Sequence, residues 1–161
     1  KTYMESIDID ETDLRLLDAL QTDAALSNLA LAARVHVSPP TCLRRVRRLR
    51  ESGVIEREVA ILDPQAVGAG GGLTAIVELT LEQPSNAHCD AFEALAQRID
   101  AVQQCYRVSP GPDFVLVVFA PSMDAYHMLV RQLLEGPPSA RNVKTYFSQH
   151  RAKFDPRVPV S

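Results

Sequence analysis

Residues 38–52 read Ser38-Pro39-Pro40-Thr41-Cys42-Leu43-Arg44-Arg45-Val46-Arg47-Arg48-Leu49-Arg50-Glu51-Ser52. The serine is a natural N-cap, and proline in the first turn gives up an N–H that a helix leaves unbonded anyway. Gly53 supplies the C-terminal stop. At a helical step of about 100° per residue, Cys42, Val46 and Leu49 fall on one side. Thr41, Arg44, Arg47, Arg48 and Pro40 fall on the other, flanked by Arg45 and Arg50. One side anchors the helix in a core and the other is a basic rail. No acid precedes an outer arginine by four residues, and the arginines from Arg44 to Arg50 repel one another unless an anion compensates.

The residues before this stretch fit it. Asp10 precedes Glu11-Thr12-Asp13-Leu14 as an N-cap with acids in the first turn, and Leu14, Leu17 and Leu20 recur at helical spacing, widened by Leu16. Ser27 opens a second, short helix containing Leu29, Ala30 and Ala33, which Arg34-Val35-His36-Val37 interrupts. His36 suits a left-handed turn position, where histidine is tolerated better than most residues. A short helix, a tight turn and a longer basic helix form a helix-turn-helix. The rail then presents what a recognition helix in a major groove needs: charge for phosphates and planar forks for guanine O6 and N7. The candidate DNA contacts are Ser38, Pro40, Thr41, Arg44, Arg45, Arg47, Arg48 and Arg50.

Charge is distributed to the same effect. The net charge of −3 argues against general attraction to nucleic acid, but residues 1–23 carry seven acids against two bases, while residues 34–57 carry seven arginines against Glu51 and Glu56. Of the 17 bases, 14 are arginine, the residue with a planar fork. The 161 residues suffice for one average domain or two small ones, and 46% hydrophobic with 23% charged residues excludes a disordered tail or a fibre. No apolar run reaches the ~18 residues of a bilayer span. Cys42, Cys89 and Cys105 are too few for a disulfide framework, so a reducing cytoplasm is the expected location.

Beyond the basic helix, Val54 to Leu62 reads as a strand closed by Asp63-Pro64, and Val67-Gly68-Ala69-Gly70-Gly71-Gly72 reads as a hinge. The expected organisation is a helix-turn-helix domain over 8–53, a strand and linker over 54–72, and a second domain over 73–161. That second domain has a βαββαβ rhythm. Leu73 to Leu81 alternates with period two. Pro84-Ser85-Asn86 begins a helix with Phe92, Leu95, Ala96 and Ile99 inward. Val102 to Ser109 and Asp113 to Ala120 are strands, and Ser122 caps a helix carrying Tyr126, Leu129, Val130 and Leu133. Gly136-Pro137-Pro138 leads to a last strand from Val143 to about Gln149. The fold class is α+β: a winged-helix-like helix-turn-helix, then a ferredoxin-like antiparallel four-stranded sheet with two helices on one face. The other sheet face would be bare, with valine and leucine among its residues, which points to a partner subunit.

These residues resemble a known family. Asp10-x-x-Asp13-x-x-Leu16-Leu17 with the Ser38 to Ile55 stretch is similar to the DNA-binding half of the Lrp/AsnC (feast/famine) regulators. Cys105-Tyr-Arg-Val-Ser109, Asp113-Phe-Val-Leu, Met123-Asp-Ala-Tyr126 and Lys144-Thr-Tyr146 resemble its second domain, so the likeness runs from Ile9 to Pro159. The resemblance implies a transcription regulator that binds double-stranded DNA as a homodimer, with tetramers or octamers built from dimers. It also implies a small effector, typically an amino acid, and no other cofactor. By the same resemblance, the turn before the third strand of the second domain, with Ser109, Gly111 and Asp113, is the candidate effector site.

Three positions depart from the family pattern. The turn usually reads Ser/Thr-Gly-x-x-Asp, whereas Ser109-Pro110-Gly111-Pro112-Asp113 displaces the glycine and adds two prolines that lack N–H donors. His36 replaces a turn glycine, and Glu58 stands where an aromatic residue usually follows Gly-Val-Ile. The competing reading is a small-molecule sensor module with little DNA binding of its own. Catalysis has no support in the sequence: His36, His88, His127 and His150 are scattered, no metal cluster is expected, and no nucleophile triad, Walker loop or Cys-x-x-Cys pair is visible.

Overall fold

A computed structural model describes residues 7–68 and 70–160 and divides the chain into two compact units. One holds residues 7–61 with 153–160, the other residues 62–152. The boundary therefore falls ahead of the glycine run, and the tail from Lys153, read from sequence as part of the second domain, lies with the first unit. Gln21 holds it there: its carboxamide donates to Val158 O at 2.9 Å and accepts from Val158 N at 2.7 Å. Ala69 of the expected hinge and Ser161 lie outside the described residues.

The first unit is built from α1 (Glu11–Thr22), α2 (Asn28–Arg34) and α3 (Pro39–Glu51). Each begins where the sequence supplies an oxygen cap: Asp10, Ser27 and Ser38 accept from the backbone N–H of Asp13, Ala30 and Thr41 respectively. The short α2 ends in a Schellman arrangement, with Val37 N bonded to Ala32 O and His36 N to Ala33 O. The residue that turns the chain there, His36, sits at φ 58. Asn28 Nδ2 donates to Pro39 O at 2.9 Å, fixing the start of α2 against the start of α3. The core is Leu16 and Ala19 from α1, Leu31 and Ala32 from α2, Val35, and Cys42 and Val46 from α3.

Two expectations change here. Along α1 the buried line is Asp13, Leu16 and Ala19, while Leu14, Leu17 and Leu20 are half-buried flanks. Residues 56–62 form no strand. A strand needs a neighbour to take its N–H and C=O groups, and no strand is present in this unit among the described residues. Val59, Ile61 and Leu62 are exposed along this segment.

The second unit follows the expected order: β1 (Leu73–Leu81), α4 (Asn86–Ala96), β2 (Val102–Arg107), β3 (Phe114–Ala120), α5 (Met123–Glu135) and β4 (Ala140–Phe147). The strands form one antiparallel sheet in the order β2-β3-β1-β4. Alternation buries Ala75, Val77, Leu79 and Leu81 of β1 and Phe114, Leu116 and Val118 of β3 under the helices, against Phe92, Leu129 and Leu133. Strand β4 starts three residues earlier than expected, because Ala140 pairs with Leu81.

Among the described residues of this unit, no helix covers the opposite sheet face. Register places Ile76 between Val117 and Tyr146, with Phe119, Val115 and Tyr106 around them. Contrary to expectation, no leucine from the strand centres lies on this face, since Leu79, Leu81 and Leu116 all point into the core. Ile76, Tyr106 and Tyr146 are exposed.

Candidate functional site

The caps that start α3 also set what it presents. Ser38 Oγ accepts from Thr41 N at 3.4 Å and donates to Thr41 Oγ1 at 2.9 Å, so both hydroxyls are engaged in the cap. Cys42, Val46 and Leu49 are buried, as the wheel requires. Pro40, Arg44, Arg47, Arg48 and Arg50 are exposed on the opposite side. Helix α3 ends with Ser52 N bonded to Arg48 O and Gly53 at φ 75, a conformation glycine adopts without strain.

The arginines are not alike. Arg47 Nε pairs with Glu51 at 2.7 Å, an acid following at i+4. Arg50 gives both Nε and Nη2 to Glu58 Oε1, at 3.1 and 2.7 Å. Arg45, assigned from sequence to the rail's flank, is turned inward. Its Nη1 bonds Asp10 Oδ2 at 2.7 Å and Asp13 Oδ1 at 3.0 Å, and its Nε is buried with no partner. Arg48 Nη2 donates to Asp13 Oδ2. Arg44 alone of the five has no ion partner among the described residues. The compensating anions that the repulsion argument called for are thus partly internal.

Electrostatics follow from these contacts. The Asp13 backbone N–H, and after it the Arg45 guanidinium, hold the Asp10 carboxyl below its ordinary range. Asp10 and Asp13 in turn push the Arg45 pKa up. Four residues outside the sequence-based site therefore shape it: Asp10, Asp13, Glu51 and Glu58. Asp13 left a signal, an acid in line with Leu16 and Ala19 on the apolar face of α1, where only a paired charge is tolerated. Nothing in the spacing of Glu58 announces its contact with Arg50, which only the path of the chain after Gly53 brings about.

In the second unit, Ser109 and Gly111 lie exposed on the turn between β2 and β3, with Gly111 at φ 125. Asp113 pins that turn to the sheet: Oδ2 accepts from Leu81 N at 2.8 Å, its N–H donates to Leu79 O and its C=O accepts from Val108 N. Half of its carboxylate is committed to the fold. A shallow cleft of about 350 Å³ elsewhere in this unit is bounded by Glu82, His88, Glu135 and Ser139, and contains none of the three turn residues. No group of three or more metal-ligating side chains occurs among the described residues, and no helix is long and apolar enough to cross a membrane.

A helix-turn-helix with an arginine-faced second helix, joined to a βαββαβ unit, defines a two-domain DNA-binding regulator. Comparison with known proteins agrees. The model for winged helix-turn-helix DNA-binding domains matches residues 9–56, and that for the Lrp/AsnC ligand binding domain matches residues 74–158. The leucine-responsive regulatory protein of Salmonella typhimurium is 34% identical over 153 residues, covering 95% of this chain and 92% of that one. A crystal structure of a Neisseria meningitidis transcriptional regulator complexed with L-Met shares 27% identity and a TM-score of 0.81, covering 95% of this chain and 97% of that chain. An AsnC family regulator from Agrobacterium tumefaciens shares 29% identity at a TM-score of 0.81, covering 94% of this chain and 97% of that one. The chain belongs to the Lrp/AsnC family of transcriptional regulators.

Proposed function

We propose that this regulator binds operator DNA as a homodimer, α3 of each protomer entering successive major grooves about one helical turn (~34 Å) apart, and that an amino acid modulates it. The observation that carries the DNA contact is the exposed group of Arg44, Arg47 and Arg48 on α3, opposite the buried Cys42, Val46 and Leu49. Phosphates displace the exposed Arg47–Glu51 pair at little cost, because ion pairs open to solvent are worth about 0–1 kcal/mol. Ser38 and Thr41 cap the helix and aim its first turn at the backbone.

The uncovered sheet face around Ile76 supports pairing of two second units, with dimers as the building block of tetramers or octamers. The L-Met complex of the Neisseria relative supports an amino acid as effector. Ser109, Gly111 and Asp113 form the turn where it contacts this chain. Because Asp113 is half committed to Leu81 and two prolines lack N–H donors, the contact relies on fewer turn groups than the family pattern supplies. The chain acts by binding and assembly in the cytoplasm, without a catalytic step or a further cofactor. A ligand shifts assembly only by its differential affinity for the two states.

The test is to let the purified protein enrich duplexes from a random-sequence library. The enriched and a scrambled duplex are then titrated at two salt concentrations, and sedimentation is followed against each amino acid. Selective binding that weakens steeply with salt is expected, with at least one amino acid changing the sedimentation profile. The competing sensor reading draws on the internal pairing of four arginines. Absence of DNA binding at low salt beside clear amino-acid binding would establish it.

A further inference from the structure

We propose that Asp13 is a positioning residue for DNA readout: it fixes the plane of the Arg48 guanidinium, and so sets sequence selectivity rather than overall affinity. The inference rests on the reading of α3 as the DNA-contacting helix.

The side chain of Asp13 is 0% exposed, and its carboxylate orientation is over-determined. Oδ1 accepts from Arg45 Nη1 at 3.0 Å, while Oδ2 accepts from Arg48 Nη2 and from the Asp10 N–H at 3.3 Å. The last bond belongs to the capping box that begins α1. The acid is therefore referenced to the backbone of one helix while it grips two side chains of another.

Those two arginines differ in what they have left to offer. The Arg45 side chain is 22% exposed, its Nε is buried, and one of its nitrogens carries both acids. It serves the interior. The Arg48 side chain is 43% exposed and meets Asp13 through Nη2. A guanidinium has five N–H donors in one plane. Arg48 can therefore keep its bond to Asp13 and still turn donors outward. A free arginine loses its rotamer freedom on forming a forked contact, whereas a buttressed one has lost it on folding.

The other rail residues lack this support. Arg44 has no ion partner among the described residues, and Arg47 and Arg50 lean on side chains that are themselves exposed or half-exposed. Such groups suit phosphate, which asks for charge rather than a fixed plane. A base edge asks for the plane. The structure thus divides the rail into loosely held arginines for affinity and one held arginine for selectivity.

The experiment compares D13N with wild type on two probes: the duplex that wild type enriches from a random library, and its scrambled counterpart. The expected result is a loss of about tenfold in the ratio of the two affinities, with affinity for the scrambled duplex unchanged or raised, because a negative charge has been removed. In an R48A background, D13N should change the ratio by less than about twofold. R48K, which leaves the Asp13–Arg45 pair in place, should lose selectivity to the same extent as D13N and guards against a D13N protein too unstable to assay. Equal losses on both probes in protein that melts early would make Asp13 merely structural, and equal gains would make it an inhibitor that competes with DNA. Either result overturns the proposal, as does wild-type selectivity in R48K. A wild-type protein that enriches no duplex would overturn the DNA reading itself; wild-type enrichment with an unchanged D13N ratio would overturn the positioning role alone.

Discussion

Arg50 and Glu58 are joined by two hydrogen bonds to a single carboxylate oxygen, Nε at 3.1 Å and Nη2 at 2.7 Å, linking the last turn of α3 to the chain that leaves it. The pair withholds one positive charge from the outer face. In E58Q that charge is released. DNA affinity at low salt should rise a few-fold, and the slope of log affinity against log salt should steepen by about 0.9 per α3 helix bound. Titration of one duplex at several salt concentrations reads both. An unchanged slope would mean that Arg50 stays away from phosphate.

Asp113 should matter for stability through one acceptor oxygen. D113A leaves the Leu81 N–H without its partner and should destabilise the second unit by about 1–3 kcal/mol. D113N, which keeps an oxygen acceptor, should retain most of that stability. Effector affinity, measured by calorimetry, separates the two roles: a D113N protein that folds normally and binds no amino acid would assign the carboxylate's charge to the ligand.

His36 carries a left-handed backbone, φ 58, at the end of α2. A residue with a Cβ is disfavoured there by about 1–2 kcal/mol, and glycine is not. The larger freedom of glycine in the unfolded chain returns part of this. H36G should therefore stabilise the first unit modestly, by about 0.5–1 kcal/mol, as read from denaturant midpoints at constant m-value. A loss of stability would mean that the imidazole makes contacts outweighing the backbone strain.

Ile76 lies at the centre of the uncovered sheet face, opposite Val117 and Tyr146. In I76E a carboxylate would have to be desolvated on pairing of two such faces, whereas in an isolated unit it stays in water. Sedimentation should shift from the assembled species to a monomer with an unchanged circular dichroism spectrum. Persistence of the dimer would move the interface to another surface.

Asp10 gives the first unit a pH dependence. Its folded pKa lies below its ordinary value of 3.8, chiefly through the Asp13 backbone N–H and secondarily through Arg45. Its stabilisation is thus fully present above that ordinary value and is lost as pH falls through the lower folded one. The gap in melting temperature between wild type and D10N should be constant near pH 6 and close in acid below the ordinary value. A gap that stays open there would mean that the carboxylate charge is not its source, since asparagine keeps the capping acceptor.

Much of the molecule is legible in residues 38–52 and in the alternation of β1 and β3. Serine and aspartate caps, the position of Pro39, and apolar residues at helical or two-residue spacing are local signals. The caps and helices they mark are where they point, as are β1, β2 and β3, while β4 starts three residues early and the strand expected from Val54 to Leu62 does not form. The membership of α3's buried side, Cys42, Val46 and Leu49, follows from the same local geometry. What spacing could not supply is pairing at a distance. The inward turn of Arg45, the grip of Asp13 on Arg48, the capture of Arg50 by Glu58, and the return of Val158 to Gln21 each join residues from separate segments. The segment after Gly53 has the composition of a strand, yet it forms none, because a ladder exists only where a second backbone is present to complete it. Sequence alone determined which face of α3, β1 and β3 is apolar, since that is periodicity, whereas on α1 the buried line falls on Asp13, Leu16 and Ala19 rather than on Leu14, Leu17 and Leu20. The tertiary structure decided which charges are spent inside the unit and which remain exposed on α3, since that depends on where distant side chains meet.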